Sequence, residues 1–285
     1  MTEYALADLA LARRLERAEG SANAAFVEAR ARLEPASGAC WREIAGTYAM
    51  FDGVGSAITQ TFGLGVFQAP SDADLAALEA FFDERGADVL HEVSPLAGLE
   101  LLPRLADRGF RPVELTSVMY QPVARPDGRE GAGGPRVREC SVAAGSTDAA
   151  TYADTAAEGW STEGGPELAG FVRGYAVITA AARGVRTFLA EVDGRPVAAA
   201  ALAVHDGVAL LAGASTVPAW RGRGAQAALL AARLRAATDA GCDLAVMGAL
   251  PGSASQRNAE RAGFRIAYTR IKWGRATPPS AMLQS

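Results

Sequence analysis

Lysine is almost missing from this chain: Lys272 is the only one, and apart from two histidines every other basic side chain is arginine. Together with the abundant alanine, this is the bias expected of a high-GC bacterial genome and carries no chemistry of its own. Cysteine is nearly as scarce. Cys40, Cys140 and Cys242 are odd in number, far apart and without a CxxC spacing, and only His91 and His205 offer ring nitrogens, which argues against a zinc site or any other metal. Unpaired thiols of this kind belong in a reducing cytoplasm. Long apolar runs are lacking too, since none reaches the ~18 residues of a membrane span. The stretch MTEYALADLALARRLERAEG has early acids instead of a cationic start and an apolar core, so neither a signal peptide nor a membrane segment is expected. With a net charge of -4 and a pI near 5.4, nucleic acid and anionic membranes find no attracting field.

What is present is the composition of a globular protein. Hydrophobic residues make up 49% and charged residues 21% of 285, enough to bury a sizeable core in one large domain or two ordinary ones. The clearest break is ARPDGREGAGGPR, Ala124 to Arg136, where glycine, proline and charge replace apolar periodicity. It divides the chain into 1–123, a linker 124–136, and 137–285. In the first part, residues 3–32 read as helix. SDADLAALEAFFDERG reads as a second helix, with an N-cap at Ser71 or Asp72, Leu75, Leu78 and Phe82 on one face, and Gly86 as its stop; ADVLHEV follows as a strand.

Beyond the linker, VRECSV reads as a strand and TDAATYADTAAEGW as a helix followed by a loop. RTFLAEVDG, RPVAAAALAVHDG and VALLAGAST read as antiparallel strands joined at DG turns. A helix from Gly224 to Ala240 places Ala227, Leu230, Ala231, Leu234 and Ala237 on its apolar face and Arg233 and Arg235 on its surface. DLAVMGAL is a buried strand, SASQRNAERAG a short helix and FRIAYTRIKW an alternating strand. LLPRLADRGFRPVELTSVMYQPV, from Leu101, parallels ASQRNAERAGFRIAYTRIKWGRA, from Ala254, each a helix closing on glycine before a phenylalanine that opens a strand. Either coincidence or duplication accounts for this. Duplication makes the first half a degenerate copy of the second.

The chemistry concentrates in VPAWRGRGAQAALLAARL, Val217 to Leu234. A strand that turns through glycines into a helix leaves the first helical N–H groups unpartnered, and the macrodipole adds roughly half a positive charge there. Arg221 and Arg223 supply two further cations, while Gly222 and Gly224 admit a ligand close to the backbone. A nucleoside triphosphate loop would need GxxxxGK[ST], and a dinucleotide fingerprint would need a third glycine where Ala227 stands. Neither fits.

From about Arg136 to Trp273 the sequence resembles the GNAT superfamily, the Gcn5-related N-acetyltransferases. Their acyl-CoA loop reads [QR]xxGx[GA], and Arg221-Gly222-Arg223-Gly224-Ala225-Gln226 matches it except at the last place, where Gln226 replaces a small residue. The order of strands and helices and the closing Gly263-Phe264 agree with that family. The resemblance implies an α/β (α+β) fold, a mixed and mostly antiparallel sheet flanked by helices, in tandem with a degenerate N-terminal GNAT-like lobe. It also implies acetyl-CoA as donor, held by the loop from Arg221 to Gln226, by backbone groups of Thr216 and Val217 and by Asn258, with a nearby N–H for the oxyanion. Asn258 is equally readable as a helix-surface residue.

An amine acceptor needs its proton removed, whereas the departing thiol is easily expelled. The strand carboxylate common in the family is missing from VALLAGAST, which leaves Glu158 and Glu163, in EGWSTEGGPE, as candidate bases or merely solvated acids. The tyrosine that often serves as acid is replaced by Ala259; Ser255 or Tyr268 are the substitutes, Tyr268 more readily a core residue. Trp160 is a candidate wall of the acceptor pocket, with Phe171 and Tyr175 one turn apart beyond it. His205-Asp206 lies at a hairpin turn and is discounted. In the first half TFGLGVFQAP stands where the loop belongs, without arginines, and is expected not to bind CoA. The expected function is acetyl transfer to a small-molecule or peptide amine, with a homodimer compatible; the alternative is a non-catalytic acyl-CoA-binding or sensory protein.

Overall fold

A computed structural model of the protein describes residues 4–123, 134–141 and 146–275, the last range without the side chains of 163–166. The expected linker lies outside the described residues as far as residue 133. In chain order come α1 (Leu9–Leu33), β1 (Cys40–Ile44), β2 (Thr47–Phe51), β3 (Gln60–Phe62), α2 (Asp72–Asp83), β4 (Val89–Val93), α3 (Leu101–Asp107) and β5 (Arg111–Pro122). There follow β6 (Arg136–Glu139), α4 (Asp148–Ala181), β7 (Val185–Val192), β8 (Arg195–His205), β9 (Val208–Thr216), α5 (Ala225–Asp239), β10 (Leu244–Ala249), α6 (Ala254–Arg261) and β11 (Arg265–Arg275). Among the described residues no helix is long and apolar enough to cross a membrane.

The chain divides into two compact units, one of Ala7–Val118 with Ala267–Ser285, the other of Met1–Leu6 with Met119–Ile266. Strands β5 and β11 each contribute residues to both. In the first unit the sheet order is β1-β2-β3-β4-β11-β5; β1 with β2, β2 with β3 and β4 with β11 are antiparallel, and β3 with β4 is parallel, where Thr61 stands opposite His91. Phe51, Leu64, Leu75, Leu78, Phe82, Phe110 and Trp273 form its core beneath α2 and α3. Helix α2 starts at Ser71 with a full capping box to Asp74 and stops before Gly86 at φ +64°, both as the sequence reads. The β1–β2 hairpin turns on Ala45 and Gly46, both at positive φ. An alanine where such turns favour Asn or Asp hides the hairpin from a sequence reading.

In the second unit the order is β5-β10-β9-β8-β7-β6, with β9 and β10 parallel and β6 to β9 antiparallel. The expected DG turns are there: Asp193-Gly194 and Asp206-Gly207 all have positive φ, the requirement of a two-residue hairpin loop. One face of the sheet packs Phe188, Val197, Leu202 and Leu211 against Leu229 of α5 and Phe264. The other packs Leu189 and Ala199 against Tyr152, Ala153, Ala156 and Ala176 of α4.

Two expectations are corrected here. The helix starting at Asp148 is not followed by a loop at Gly159; helical backbone continues to Ala181. It is not straight, however. Arg173 and Asp154 form an ion pair of 2.6 Å although they are 19 residues apart, a separation of ~28 Å along a straight helix. Together with the packing of Tyr152 and Ala156 near Ala176, this shows that α4 doubles back between residues 156 and 172. The second correction concerns α5, whose fully buried line is Ala225, Leu229, Arg233, Ala236 and Ala237. Arg233, expected on the surface, occupies the middle of the core face.

Candidate active site

The parallel register of β9 and β10 runs from Leu244↔Val208 to Val246↔Leu210, after which β9 continues to Thr216 and β10 to Ala249. Along β9 the residues up to Leu211 are buried, Ala212, Gly213 and Ala214 are exposed, and Ser215 and Thr216 are buried again. Against β8 the register steps between Ala201↔Ala212 and Ala199↔Ser215, so two residues of β9 oppose Ala200 alone. That is a β-bulge, with Gly213 at φ +60°. A strand inside a sheet is thus laid bare just where it has passed its parallel neighbour. Loops leaving the C-terminal ends of two adjacent parallel strands border one crevice, the usual ligand position in such sheets, and here they lead into α5 and α6.

The loop after β9 makes a short helical turn at Pro218–Trp220 and enters α5 through Gly222 and Gly224, at φ +76° and +84°. No side chain caps α5, and no acid stands in its first turn. A β-carbon at Gly222 or Gly224 would meet no atom within 4 Å, so the loop is open on that side. Arg223 is exposed, its guanidinium 4.8 Å from the Trp220 ring centre. Arg221 turns inward: Nη2 donates to the Gly159 carbonyl at 2.8 Å and Nε to the Thr216 carbonyl at 3.3 Å. Gln226 also turns toward β9, its Nε2 donating to Thr216 Oγ1 at 2.8 Å, and Ala225 is buried. The Gln226 side chain is thereby held away from the loop mouth. Val217 has both backbone groups engaged, its N–H with the Val197 carbonyl at 2.9 Å and its carbonyl with the Trp220 N–H at 2.8 Å.

Helix α4 lies against β9 through glycine and serine. A β-carbon at Gly159 would stand 2.6 Å from Ser215 Cβ, and Ser215 Oγ donates to the Ala156 carbonyl at 3.2 Å. Glu158 is exposed, 3.6 Å from Arg195. Trp160 is 40% exposed, and Phe171 is exposed as well. Glu163 lies outside the residues whose side chains are described. On α6, Ser253 caps the first turn, while Ser255 and Asn258 are exposed and Asn258 Oδ1 accepts from Arg261 at 3.4 Å. Ala259 is buried against the core around Phe264. Tyr268 belongs to the first unit, where its hydroxyl donates to Glu16 at 2.8 Å.

The corresponding stretch of the first unit is built to opposite effect. Between β3 and α2, Leu64 and Val66 are buried, Arg13 donates to the Val66 carbonyl at 2.9 Å, and α2 is capped by Ser71 with Asp72 and Asp74 in its first turn. Its orphan N–H groups are partly satisfied and its dipole is met by carboxylates, which leaves no anion site.

Sequence reasoning missed two buried polar side chains near the bulge. Arg233 of α5 donates from Nη1 to the carbonyls of Ala201 and Ala212, at 3.2 and 3.4 Å. The Tyr152 hydroxyl would lie 3.5 Å from a β-carbon on Gly213. Burial lowers the Arg233 pKa to about 10 and raises that of Tyr152. The signal for Arg233 was its spacing, four residues after Leu229 and three or four before Ala236 and Ala237.

Residues 127–254 match the family model described as acetyltransferase (GNAT) domain. No curated protein matches the chain. Among solved structures the chain is similar to a GCN5-related N-acetyltransferase from Kribbella flavida, with a TM-score of 0.61 and 19% identity over 90% of this chain and 97% of that one. It is also similar to a GCN5-related N-acetyltransferase from Sphaerobacter thermophilus, with a TM-score of 0.52 and 17% identity over 77% and 72%. A tandem GNAT protein from the clavulanic acid biosynthesis pathway gives a TM-score of 0.52 and 15% identity over 73% and 70%. At these identities the structural likeness speaks for the fold, and the family match for the domain. The chain has the GNAT fold, and its residues 127–254 match the acetyltransferase (GNAT) domain.

Proposed function

We propose that the protein transfers an acetyl group from acetyl-CoA to a primary amine by direct attack, in the second unit. The observation that carries this is the start of α5: an uncapped, acid-free helix N-terminus behind two open glycines, at the end of the strand that β10 has left. Its unpaired N–H groups and the exposed Arg223 suit a diphosphate, and the glycines leave room for one. Arg221 serves differently, joining the loop to α4 at Gly159. Exposed Ala212 to Ala214 offer backbone groups along which a pantetheine arm can lie, and Thr216, Ser255 and Asn258 border the same end of the strands.

Bound acetyl-CoA supplies an activated carbonyl and a thiol leaving group. The acceptor nitrogen forms the C–N bond, the C–S bond breaks, the amine proton passes to a base or to water, and the thiolate takes up a proton. Glu158 is exposed enough to exchange Arg195 for a proton relay, and Trp160 beside it presents an apolar wall to the acceptor. Unpaired Cys40, Cys140 and Cys242 accord with a cytoplasmic setting. A second reading, acyl-CoA binding without turnover, is favoured by buried Ala259 and by the absence of a carboxylate from β9. Calorimetry with CoA, followed by thiol release from acetyl-CoA over a panel of amines, separates them. Absence of CoA binding at millimolar concentration sinks both; binding without thiol release leaves the second.

A further inference from the structure

Arg233 is 4% exposed, and among the described residues no carboxylate is paired with it; the titratable group that faces it is Tyr152. Its guanidinium is held by three carbonyls, that of Leu229 at 3.3 Å in its own helix and those of Ala201 and Ala212 on either side of the β8–β9 ladder. Arg186, from β7, reaches α5 further along, at the Ala236 carbonyl. The Gly207 carbonyl accepts from Asp243 and Leu244 on the β10 side, so alternation along β9 turns the Ala212 carbonyl, at the last register pair before the bulge, toward β8. In a trans peptide the N–H of the next residue points the opposite way. The Gly213 N–H is therefore directed to the side that β10 has left, beyond the end of the parallel register at Leu210. One peptide unit thus has a cation on its oxygen and an N–H in the crevice.

We propose that Arg233 is a positioning residue for acyl transfer, holding and polarising the Ala212–Gly213 peptide so that the Gly213 N–H donates to the thioester oxygen as charge develops there. This rests on the acetyl-transfer reading. When the amine adds, the carbonyl π pair moves onto oxygen, and a donor aimed at that oxygen stabilises the transition state more than the ground state. A hydrogen bond to one end of a peptide strengthens the donor at its other end, and a cation in a dry environment does so most. Gly213 suits the place, since its φ of +60° disfavours other residues and the Tyr152 hydroxyl closes the far side.

The test is a pair of variants assayed over pH. Arg233→Gln, which removes the charge, lowers kcat about ten- to hundredfold, with the KM for acetyl-CoA changed less than about threefold. Arg233→Lys keeps the charge at low pH. The burial that brings Arg233 to about 10 also brings a lysine below its ordinary value. In that variant kcat is near wild type at neutral pH and falls as the ammonium loses its proton, a limb the wild type lacks. Wild-type kcat in Arg233→Gln, or a wild-type pH profile in Arg233→Lys, overturns the proposal; should the glutamine variant fail to fold, the lysine variant decides. The Gly213 amide proton resonance of labelled protein shifts with the same titration. That readout needs no turnover, so a wild type inactive on every amine defeats the acetyl-transfer reading while the resonance still judges Arg233.

Discussion

Arginine residues two apart in the sequence have separate tasks in this loop. Arg223 is exposed beside Trp220, with its donors free to meet a phosphate, whereas Arg221 spends two donors on the carbonyls of Gly159 and Thr216. A hydrogen bond to a charged group contributes about 1.5–3 kcal/mol, so Arg223→Ala weakens CoA binding roughly tenfold or more in calorimetry, by a factor that shrinks in high salt. Arg221→Ala retains more of the affinity and lowers the melting temperature, because it frees α4 from the loop. Equal losses of affinity in the two variants would remove the distinction. Gly159 carries the same junction from the other side. Its substitution by alanine sets a β-carbon 2.6 Å from Ser215 Cβ, and relief of that clash costs about 1–3 kcal/mol, read as a lower urea midpoint.

At the level of elements, α2 and α5 are two answers to one construction, a helix entered from the end of a strand that has a parallel neighbour. Carboxylates at the start of α2 satisfy the helix and oppose anions; their absence at α5 leaves its first N–H groups open, as the proposed diphosphate site requires. Stability and affinity therefore respond oppositely to one change. Ala227→Asp, at an exposed first-turn position, stabilises α5 by about 0.3–1 kcal/mol through the helix dipole and weakens CoA at least tenfold by repelling the diphosphate. Thermal melts and calorimetry on the same sample check both signs, and tighter CoA binding would refute the assignment of this terminus. The strand–loop–helix unit was legible because glycine, proline and arginine have local effects that a sequence states directly. The course of α4 was not. Gly159, Gly164 and Gly165 read as loop, yet the backbone is helical from Asp148 to Ala181, and the contacts that bring Tyr152 and Ala156 to Ala176 join residues too far apart in sequence for propensity to contain them. The β1–β2 hairpin was lost for the complementary reason, an alanine at a turn position where asparagine would have announced it.

Across the whole molecule, the alternation of helix and strand and the paired Gly-Phe strand starts were readable, and with them the GNAT fold. What side chains do once buried was not, because a titratable residue's role depends on neighbours distant in sequence. Arg233 was read as surface, and His91 was read only as a strand histidine. His91 is fully buried between Thr61, whose Oγ1 is 2.9 Å from its Nδ1, and the Phe110 ring at 4.7 Å. Desolvation first, then the nearby charges of Arg275 and Arg108, bring its pKa from 6.5 to about 3. The folded protein thus keeps it neutral where the unfolded chain would protonate it. Its contribution to stability is complete above pH 6.5 and is lost as pH falls toward 3, with a slope approaching 1.4 kcal/mol per pH unit. Glu16 and Glu92 act with the opposite sign. Burial raises their pKa, so the folded state holds their protons more tightly than the unfolded chain, and stability declines as pH rises from the ordinary carboxylate range through the raised values. Between pH 6.5 and 5 the histidine is the main source of any loss on acidification. Compared with the wild type, His91→Gln, which keeps a hydrogen-bonding group for Thr61 but cannot take up a proton, therefore loses less stability between pH 7 and 5, read as urea midpoints. An unchanged slope in the variant would assign the acid sensitivity elsewhere.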